Sequence, residues 1–253
     1  MSSSIRLQNV SVTYSTPGGK SLLALGAVSL TIEPGTFVSL VGPSGSGKST
    51  LLRVMGGLLK ASKGEALLDG NLVKKPSTRV GMMFQEANLM PWRNVRDNIA
   101  LPLELDRQPK SVRYAAVEEL LPILGLVSFA DSYPGELSGG MAQRVALGRV
   151  LVQQPDVLLL DEPFGALDAL TREQVSGDLL RIWANLRQTV VMVTHDINEA
   201  VWLSDRVIVF SPRPGRIIRD INVNLPRPRL RAMTYSEAFG ALAVQVREAI
   251  EFS

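Results

Sequence analysis

The sequence predicts an α/β protein: a mostly parallel sheet flanked by helices, an antiparallel β subdomain near the N-terminus and an inserted α-helical subdomain. Three observations predict this class. Short strand-like segments follow one another closely before the first helix. Strand and helix patterns then alternate, which implies parallel strands joined by right-handed crossovers. The all-apolar segment Val157–Leu160 is typical of a strand buried on both faces.

The N-terminal part is rich in segments of β-branched and other apolar residues. The predicted strands are Ile5–Val10, Val28–Ile32, Phe37–Val41, Glu65–Leu68 and Val80–Phe84. Turn-rich residues 15–21 and 33–35 separate the first three strands, so we expect an antiparallel sheet before the first helix. The strand at 37–41 runs into a glycine-rich loop and then into an apolar helix.

The middle of the chain has a helical character, and the alternation of strands and helices then resumes. The predicted helices are Val95–Leu101, Val112–Leu124, Met141–Val152, 169–186 and 196–202, and the later strands are Val157–Leu160, Val190–Thr194 and Arg206–Phe210. Proline- and arginine-rich connections follow, before an amphipathic helix at Tyr235–Glu251. We divide the chain into a core with the antiparallel subdomain (1–85), an inserted helical subdomain (86–153), the second part of the core (154–211) and a C-terminal tail and helix (212–253).

Composition excludes several classes of site. The chain of 253 residues has no cysteine, which excludes disulfides, thiolate metal sites and a cysteine nucleophile, and its one histidine excludes a multi-histidine zinc cluster within one chain. The net charge of +3 is too small to argue for nucleic acid. The longest uncharged apolar-rich segment, Ser21–Ile32, is shorter than the ~20 residues of a spanning helix, and the start lacks a secretory signal. We expect a cytoplasmic protein.

A phosphate-binding loop is the most specific motif. The pattern GxxxxGK[ST] is matched by Gly42, Pro43, Ser44, Gly45, Ser46, Gly47, Lys48 and Ser49, and Thr50 follows. Glycines let backbone N–H groups surround phosphate oxygens, and the following helix adds the positive end of its dipole. Lys48 can reach the β- and γ-phosphates, and Ser49 can ligate Mg²⁺. A simple glycine-rich turn is the alternative.

Two acidic residues, Asp161 and Glu162, end the buried strand 157–160. A carboxylate at this position beside a phosphate loop can hold the metal, directly or through water, and Glu162 can polarise an attacking water. The alternative is a strand that ends in two solvated acids. Together, the two motifs indicate a P-loop NTPase core, a class that covers many unrelated activities.

A third motif narrows the class. The segment Leu137-Ser138-Gly139-Gly140-Met141 precedes the metal carboxylate and resembles the LSGGQ signature of the ATP-binding-cassette (ABC) ATPases, with methionine at the fifth position. Ser-Gly-Gly opens a helix, so its exposed N–H groups offer a second anion site. In a head-to-tail dimer, this site of one chain would meet the γ-phosphate held by the other. A plain helix cap is the alternative.

The resemblance implies roles for four further residues. Gln85 follows the strand at 80–84, as the Q-loop glutamine of the family does, and would contact Mg²⁺ and the attacking water. His195 matches the switch histidine that bonds the γ-phosphate, and Asp168 lies in the loop that couples the two sites of the dimer. Tyr14 matches the aromatic residue that stacks on adenine. Gln85 as a surface residue, His195 as a structural histidine and Tyr14 as a core residue are the alternatives.

Features less specific than the nucleotide motifs resemble one branch of the family, the ATPases of nitrate, sulfonate, taurine and bicarbonate importers. They are Phe84-Gln85-Glu86 with the segment 89–95, the LSGGM form of the signature, and the proline- and arginine-rich segments 211–217 and 226–229. Residues 89–92 form an apolar knuckle that could receive a helix of a membrane subunit. The alternative for Trp92 is core packing.

The resemblance implies an ATP-hydrolysing subunit of an importer for a small anionic solute. ATP and Mg²⁺ are the expected ligands. The expected partners are a second copy of the chain, integral-membrane permease subunits and, indirectly, a solute-binding protein, with no nucleic acid. The expected location is the cytoplasmic face of the inner membrane. The alternatives are an importer ATPase for an unrelated solute, an ABC ATPase of DNA repair or translation, and a nucleotide-regulated module without turnover.

Overall fold

The computed structural model describes residues 2–15 and 21–251 and confirms the α/β class. The strands are β1 (Ile5–Ser15), β2 (Ser21–Ile32), β3 (Phe37–Val41), β4 (Lys63–Leu68), β5 (Asn71–Leu72), β6 (Val80–Met83), β7 (Val157–Asp161), β8 (Thr189–Val193), β9 (Arg206–Phe210) and β10 (Ile217–Asn222). The helices are α1 (Lys48–Met55), α2 (Val95–Leu105), α3 (Lys110–Leu124), α4 (Gly139–Leu151), α5 (Ala169–Leu186), α6 (Ile197–Leu203) and α7 (Glu237–Glu251). Short 3-10 turns occupy 127–129, 134–136 and 231–235.

The strands form two sheets. The antiparallel sheet has the order β2-β1-β4-β5, and the larger sheet has the order β10-β9-β3-β8-β7-β6. In the larger sheet β9, β3, β8, β7 and β6 run parallel, whereas β10 is an antiparallel edge strand. The expectation that the strand at 37–41 belongs to the antiparallel sheet is wrong, because β3 pairs in parallel with β8 and β9.

Burial explains this arrangement. Every residue of β3, β7 and β8 is buried, as expected for parallel strands that are covered on both faces. In β1, buried and exposed residues largely alternate, and a register shift around Asn9 keeps Ile5, Leu7 and Val10 on the buried face. The larger sheet therefore lies inside the molecule, and the antiparallel sheet covers it from one side.

Helix α1 lies between the two sheets. Its Leu51 and Leu52 are fully buried in an apolar cluster that contains Leu25 of β2 and Leu159 of β7. A second cluster joins the other face of the large sheet to α2–α6 and α7. The phosphate-loop segment is therefore anchored to both sheets at once.

The tail differs from the sequence-based expectation in one respect. No strand is predicted from the sequence after residue 210, but β10 pairs with β9, from Ile217 opposite Phe210 to Asn222 opposite Arg206. Helix α7 packs on α6 and β9, with Phe239 and Val246 buried. Most of the expected turn at 15–21 lies outside the described residues. Of the helices that are described, none has the length and apolar character needed to cross a membrane.

Candidate nucleotide-binding site

The loop between β3 and α1 requires glycine at particular positions. Gly42 has a φ of 141°, and a Cβ built there would lie 2.5 Å from the carbonyl oxygen of Phe210. Gly47 has a φ of 90°, and its Cβ would lie 2.6 Å from Leu25 Cδ2. No described side chain caps α1, so its first N–H groups remain available to an anion.

Lys48 folds back onto this loop. Its Nζ donates hydrogen bonds to the carbonyl oxygens of Gly42 (2.8 Å) and Pro43 (2.9 Å) and to Ser46 Oγ (3.0 Å). Burial lowers the pKa of Lys48, and the nearby carboxylates of Glu162 and Asp161 oppose that shift. An anion in the loop would stabilise the buried ammonium group, since a partly desolvated charge gains from a close counter-charge.

The sequence-predicted metal residues meet at the first turn of α1. Ser49 Oγ donates a hydrogen bond of 2.7 Å to Asp161 Oδ1. Burial raises the pKa of Asp161, although the Ser49 hydrogen bond lowers it. A hydroxyl and a carboxylate are oxygen ligands that suit Mg²⁺. Among the described residues no group of three His, Cys, Asp or Glu side chains could hold a metal. An Mg²⁺ ion at Ser49 and Asp161 would therefore need further oxygen ligands, which Gln85, phosphate and water can supply.

Glu162, His195 and Gln85 converge beside this pair. Glu162 Oε2 lies 3.2 Å from His195 Nδ1, within hydrogen-bond distance. The Glu162 backbone adopts a left-handed φ of 47°, and its N–H donates to the carbonyl oxygen of Val193 (3.0 Å). A Cβ built on Gly165 would lie 3.3 Å from Gln85 Nε2 and 3.5 Å from Glu162 Oε2. The glutamine and the glutamate are therefore neighbours.

Residues 44–50 and Glu162 border a cleft of about 330 Å³, whose lining does not include Asp161, His195 or Gln85. Its lining comprises Tyr14, Leu22, Ala24, residues 44–50, Glu162 and Arg213. Tyr14 is half-buried, and its hydroxyl shares a hydrogen bond of 3.2 Å with Thr50 Oγ1. Tyr14 thus borders the cleft beside the phosphate loop, and adenine stacking on its ring stays a prediction.

The signature residues form a separate group and do not line this cleft. Ser138 begins α4, where its Oγ accepts a hydrogen bond of 3.3 Å from the N–H of Met141. Ser138 and Gly139 are exposed, whereas Gly140 is buried. The start of α4 is therefore accessible from outside the chain, and its contact with a nucleotide stays a prediction.

Asp168 belongs to this second group. A Cβ on Gly139 would lie 3.4 Å from Leu167 Cδ2, and one on Gly140 would lie 2.5 Å from Thr171 Cγ2. Asp168 lies between these two neighbours and begins α5 by accepting a hydrogen bond of 3.0 Å from the N–H of Thr171. This capping interaction lowers the pKa of Asp168.

Two residues near the site, Gln143 and Arg213, have contacts that were not predicted from the sequence. Gln143 of α4 donates a hydrogen bond of 2.9 Å from Nε2 to the carbonyl oxygen of Gln85, which links the signature helix to the Gln85 segment. Arg213 lines the cleft from the C-terminal side of β9. The proline- and arginine-rich segment 211–217 was noted only as a feature of a branch. This segment was the only sequence feature that pointed to Arg213, and no sequence feature pointed to the contact of Gln143.

A buried carboxyl group supports the loop that carries His195. Thr194 Oγ1 is hydrogen-bonded to Glu199 Oε2 and accepts a hydrogen bond of 3.0 Å from the N–H of Asp196. Burial raises the pKa of Glu199 to about 7, a shift that Thr194 opposes and Asp196 reinforces. The folded protein therefore favours the protonated form of this carboxyl group.

The charge of Glu199 should make stability depend on pH. Because the pKa of Glu199 is raised from 4.5 to about 7, the folded state binds more protons than the unfolded state within that window, so stability falls as pH rises. When pH changes from 5 to 8, we expect the free energy of unfolding of Glu199→Gln to rise by roughly 2 kcal/mol relative to that of the wild type. Urea unfolding at both pH values measures this, with Glu65→Gln as an exposed control. An equal pH response in Glu199→Gln and the wild type would contradict the assignment.

A phosphate loop between a parallel strand and a helix, with a serine–carboxylate pair beside its lysine, defines a P-loop nucleotide-binding protein. The family model for the ABC transporter matches residues 25–165. The chain belongs to the ABC transporter family.

Similar proteins agree with this membership. The chain is 45% identical over 233 residues to the aliphatic sulfonates import ATP-binding protein SsuB of Bacillus cereus, an alignment that covers 92% of this chain and 90% of the relative. It is 47% identical over 234 residues to the nitrate import ATP-binding protein NrtC of Synechococcus elongatus, covering 91% of this chain and 36% of that protein. The dimeric ATP-binding cassette MJ0796, bound to ADP and Pi, has a TM-score of 0.76 and 35% identity, with coverage of 88% of this chain and 100% of that one.

Proposed function

We propose that this chain hydrolyses ATP to drive the import of a small anionic solute, of the nitrate, sulfonate, taurine or bicarbonate type, and that it does so on the cytoplasmic face of the inner membrane. The observation that carries the proposal is the contact between Glu162 and His195 (3.2 Å) beside a complete phosphate loop. The relatives named for sulfonate and nitrate import support the solute class.

The proposed reaction is the attack of water on the γ-phosphorus of ATP, which releases ADP and phosphate. Glu162 orients the water and accepts its proton, and His195 and Lys48 stabilise negative charge on the transferred phosphoryl group. Ser49 and Asp161 would hold Mg²⁺, with Gln85 close to it. When bound, this ion neutralises charge on the phosphates. Tyr14 at the edge of the cleft would stack on adenine.

A second copy of the chain would complete the site. Ser138, Gly139 and Gly140 do not line the cleft that contains Lys48, so we expect that one nucleotide does not contact both groups within one chain. In a head-to-tail dimer, the exposed start of α4 of one protomer would bind the γ-phosphate held by the other, and Asp168 would lie close to the dimer contact. The cassette that resembles this chain is dimeric with ADP and Pi bound, which supports the formation of a dimer.

The knuckle at residues 89–92 is the proposed contact with a permease subunit. The Trp92 side chain is 72% exposed, so the alternative of core packing is wrong. The buried Asn98 fixes the backbone behind it, accepting from the N–H of Met90 (2.8 Å) and donating to the carbonyl oxygen of Arg93 (2.8 Å). An exposed tryptophan on a fixed backbone is a typical anchor at protein interfaces. A solute-binding protein would act through the permease.

Two measurements test the function. The purified chain should release phosphate from MgATP in a steady-state assay, and a chain without turnover would instead be a nucleotide-regulated binding module. A strain that lacks the chain should fail to grow on one substrate of the class, namely an alkanesulfonate or taurine as sulfur source, nitrate as nitrogen source, or limiting bicarbonate. Normal growth on all of them would contradict the proposed solute class, and copurification with ribosomes or DNA would contradict a role in transport.

Trp92→Ala should separate transport from nucleotide binding. Removal of an interface tryptophan costs about 2 kcal/mol or more of binding, so we expect solute uptake to fall at least about tenfold in cells. ATP affinity of the purified chain should stay within about twofold, because Trp92 does not line the cleft. Ile123→Ala removes another exposed apolar residue of the helical subdomain and serves as the control. Wild-type uptake by Trp92→Ala would contradict the docking role.

A further inference from the structure

The segment between β9 and β10 packs against β2 and the phosphate loop. The N–H of Gly215 donates to the carbonyl oxygen of Ala24 (3.1 Å), and the N–H of Gly26 donates to the carbonyl oxygen of Gly215 (2.9 Å). A Cβ built on Gly215 would lie 1.7 Å from the carbonyl oxygen of Ser46, so the two backbones are in direct contact. Residues 211–216 are therefore fixed in position relative to the loop.

This contact brings Arg213 to the cleft. Its Nε donates a hydrogen bond of 3.2 Å to the carbonyl oxygen of Gly45, in the middle of the loop. One terminal nitrogen of the guanidinium lies 2.9 Å from the position that a Cβ on Gly45 would take. Arg213 lines the same cleft as Lys48 and Ser49, and its side chain is exposed to solvent.

Arg213 differs from neighbouring arginines in its partners. Arg206 pairs with Asp220 (2.5 Å) and Arg227 pairs with Asp205 (2.8 Å). Within residues 2–15 and 21–251, no carboxylate forms an ion pair with Arg213. The guanidinium is therefore an uncompensated cation beside a loop that binds anions.

We propose that Arg213 is a further nucleotide-binding residue, which contacts the phosphate chain of the bound nucleotide together with Lys48. The proposal rests on the proposed function, since it assumes that the cleft holds a nucleotide. Lys48 and Arg213 are the cationic residues of the cleft lining, and Glu162 is its acidic residue. A guanidinium presents several N–H donors in a plane and suits phosphate oxygens, and the hydrogen bond of Nε to Gly45 leaves the terminal nitrogens for that contact.

The affinity of variants for ATP tests this contact. We expect Arg213→Ala to bind ATP about fivefold more weakly than the wild type in a calorimetric titration at low salt, and this difference should shrink as salt is raised. Arg213→Gln should show a similar loss, because it keeps an N–H donor for Gly45 but removes the charge. Arg213→Lys should recover part of the affinity.

The matched control is Arg216→Ala, which removes the same charge from the same segment but outside the cleft lining. Arg216→Ala should bind ATP within about twofold of the wild type. If Arg213→Ala and Arg213→Gln bind ATP as Arg216→Ala does, the contact is refuted. If the thermal midpoint of nucleotide-free Arg213→Gln equals that of the wild type while its ATP affinity falls, a merely structural role is refuted. Failure of the wild type to bind ATP would refute the proposed function itself.

Discussion

Glu162→Gln is expected to bind ATP like the wild type, to lose hydrolysis and to accumulate as an ATP-bound dimer. The amide keeps the size of the side chain but cannot accept a proton from water, and removal of a general base costs about 10²–10⁴-fold in rate. Because ATP is not consumed, the nucleotide remains between the two protomers. Phosphate release measures the loss, and size-exclusion chromatography with MgATP measures the dimer.

Glu86→Gln is the control for this variant, because Glu86 is exposed, follows Gln85 and does not line the cleft. It should hydrolyse ATP at the wild-type rate and show no stable dimer. Near-normal turnover by Glu162→Gln would contradict the assignment of the base. Loss of ATP binding in Glu162→Gln would mean that the carboxylate shapes the cleft in addition to any role in the chemistry.

Lys48→Ala is expected to abolish detectable ATP binding and, with it, hydrolysis. Loss of the charge-assisted contacts to the β- and γ-phosphates should weaken binding by about 100-fold or more. The nucleotide-free chain should remain folded, because Lys48 is a partly desolvated ammonium group whose hydrogen bonds to Gly42 and Pro43 offset the cost of burial. Nucleotide titration and thermal unfolding measure the two quantities separately.

Lys63→Ala, an exposed lysine of β4, is the matched control and should behave like the wild type in both measurements. Near-normal ATP turnover by Lys48→Ala would refute the assignment of the loop. An unfolded Lys48→Ala would contradict the expectation that the lysine serves the ligand more than the fold.

Local sequence patterns predicted the elements better than their pairing. The helix at 169–186 and the strand at 206–210 have the predicted bounds, since their apolar patterns match their periods. The placement of β3 in the antiparallel sheet was wrong, because closeness in sequence to β2 does not decide pairing, and β3 pairs with β8 far along the chain. The edge strand β10 was missed because its Arg219 and Asp220 face solvent and weaken the apolar pattern.

In the site too, features within one segment were predicted better than contacts between segments. Patterns within single segments predicted the positions of Lys48 and Ser49 beside the loop and of Asp161 at the end of a strand, because the phosphate loop and the buried strand are each continuous in sequence. Its contacts with Arg213 and the link from Gln143 to Gln85 arise between segments that are distant in sequence. Such contacts depend on how the tail and the helical subdomain pack on the core, which residue patterns do not specify.

The hydrogen bond from Gln143 to the carbonyl oxygen of Gln85 has a mechanical consequence. Ser138 caps the start of helix α4, and Gln143 lies in the same helix. The end that would bind the other protomer's nucleotide and the residue that holds the Gln85 backbone therefore belong to one helix. In the proposed dimer, a displacement of the start of α4 would shift Gln85, which lies beside the proposed general base Glu162. ATP binding at one site of the proposed dimer would thereby change the position of Gln85 in the other site.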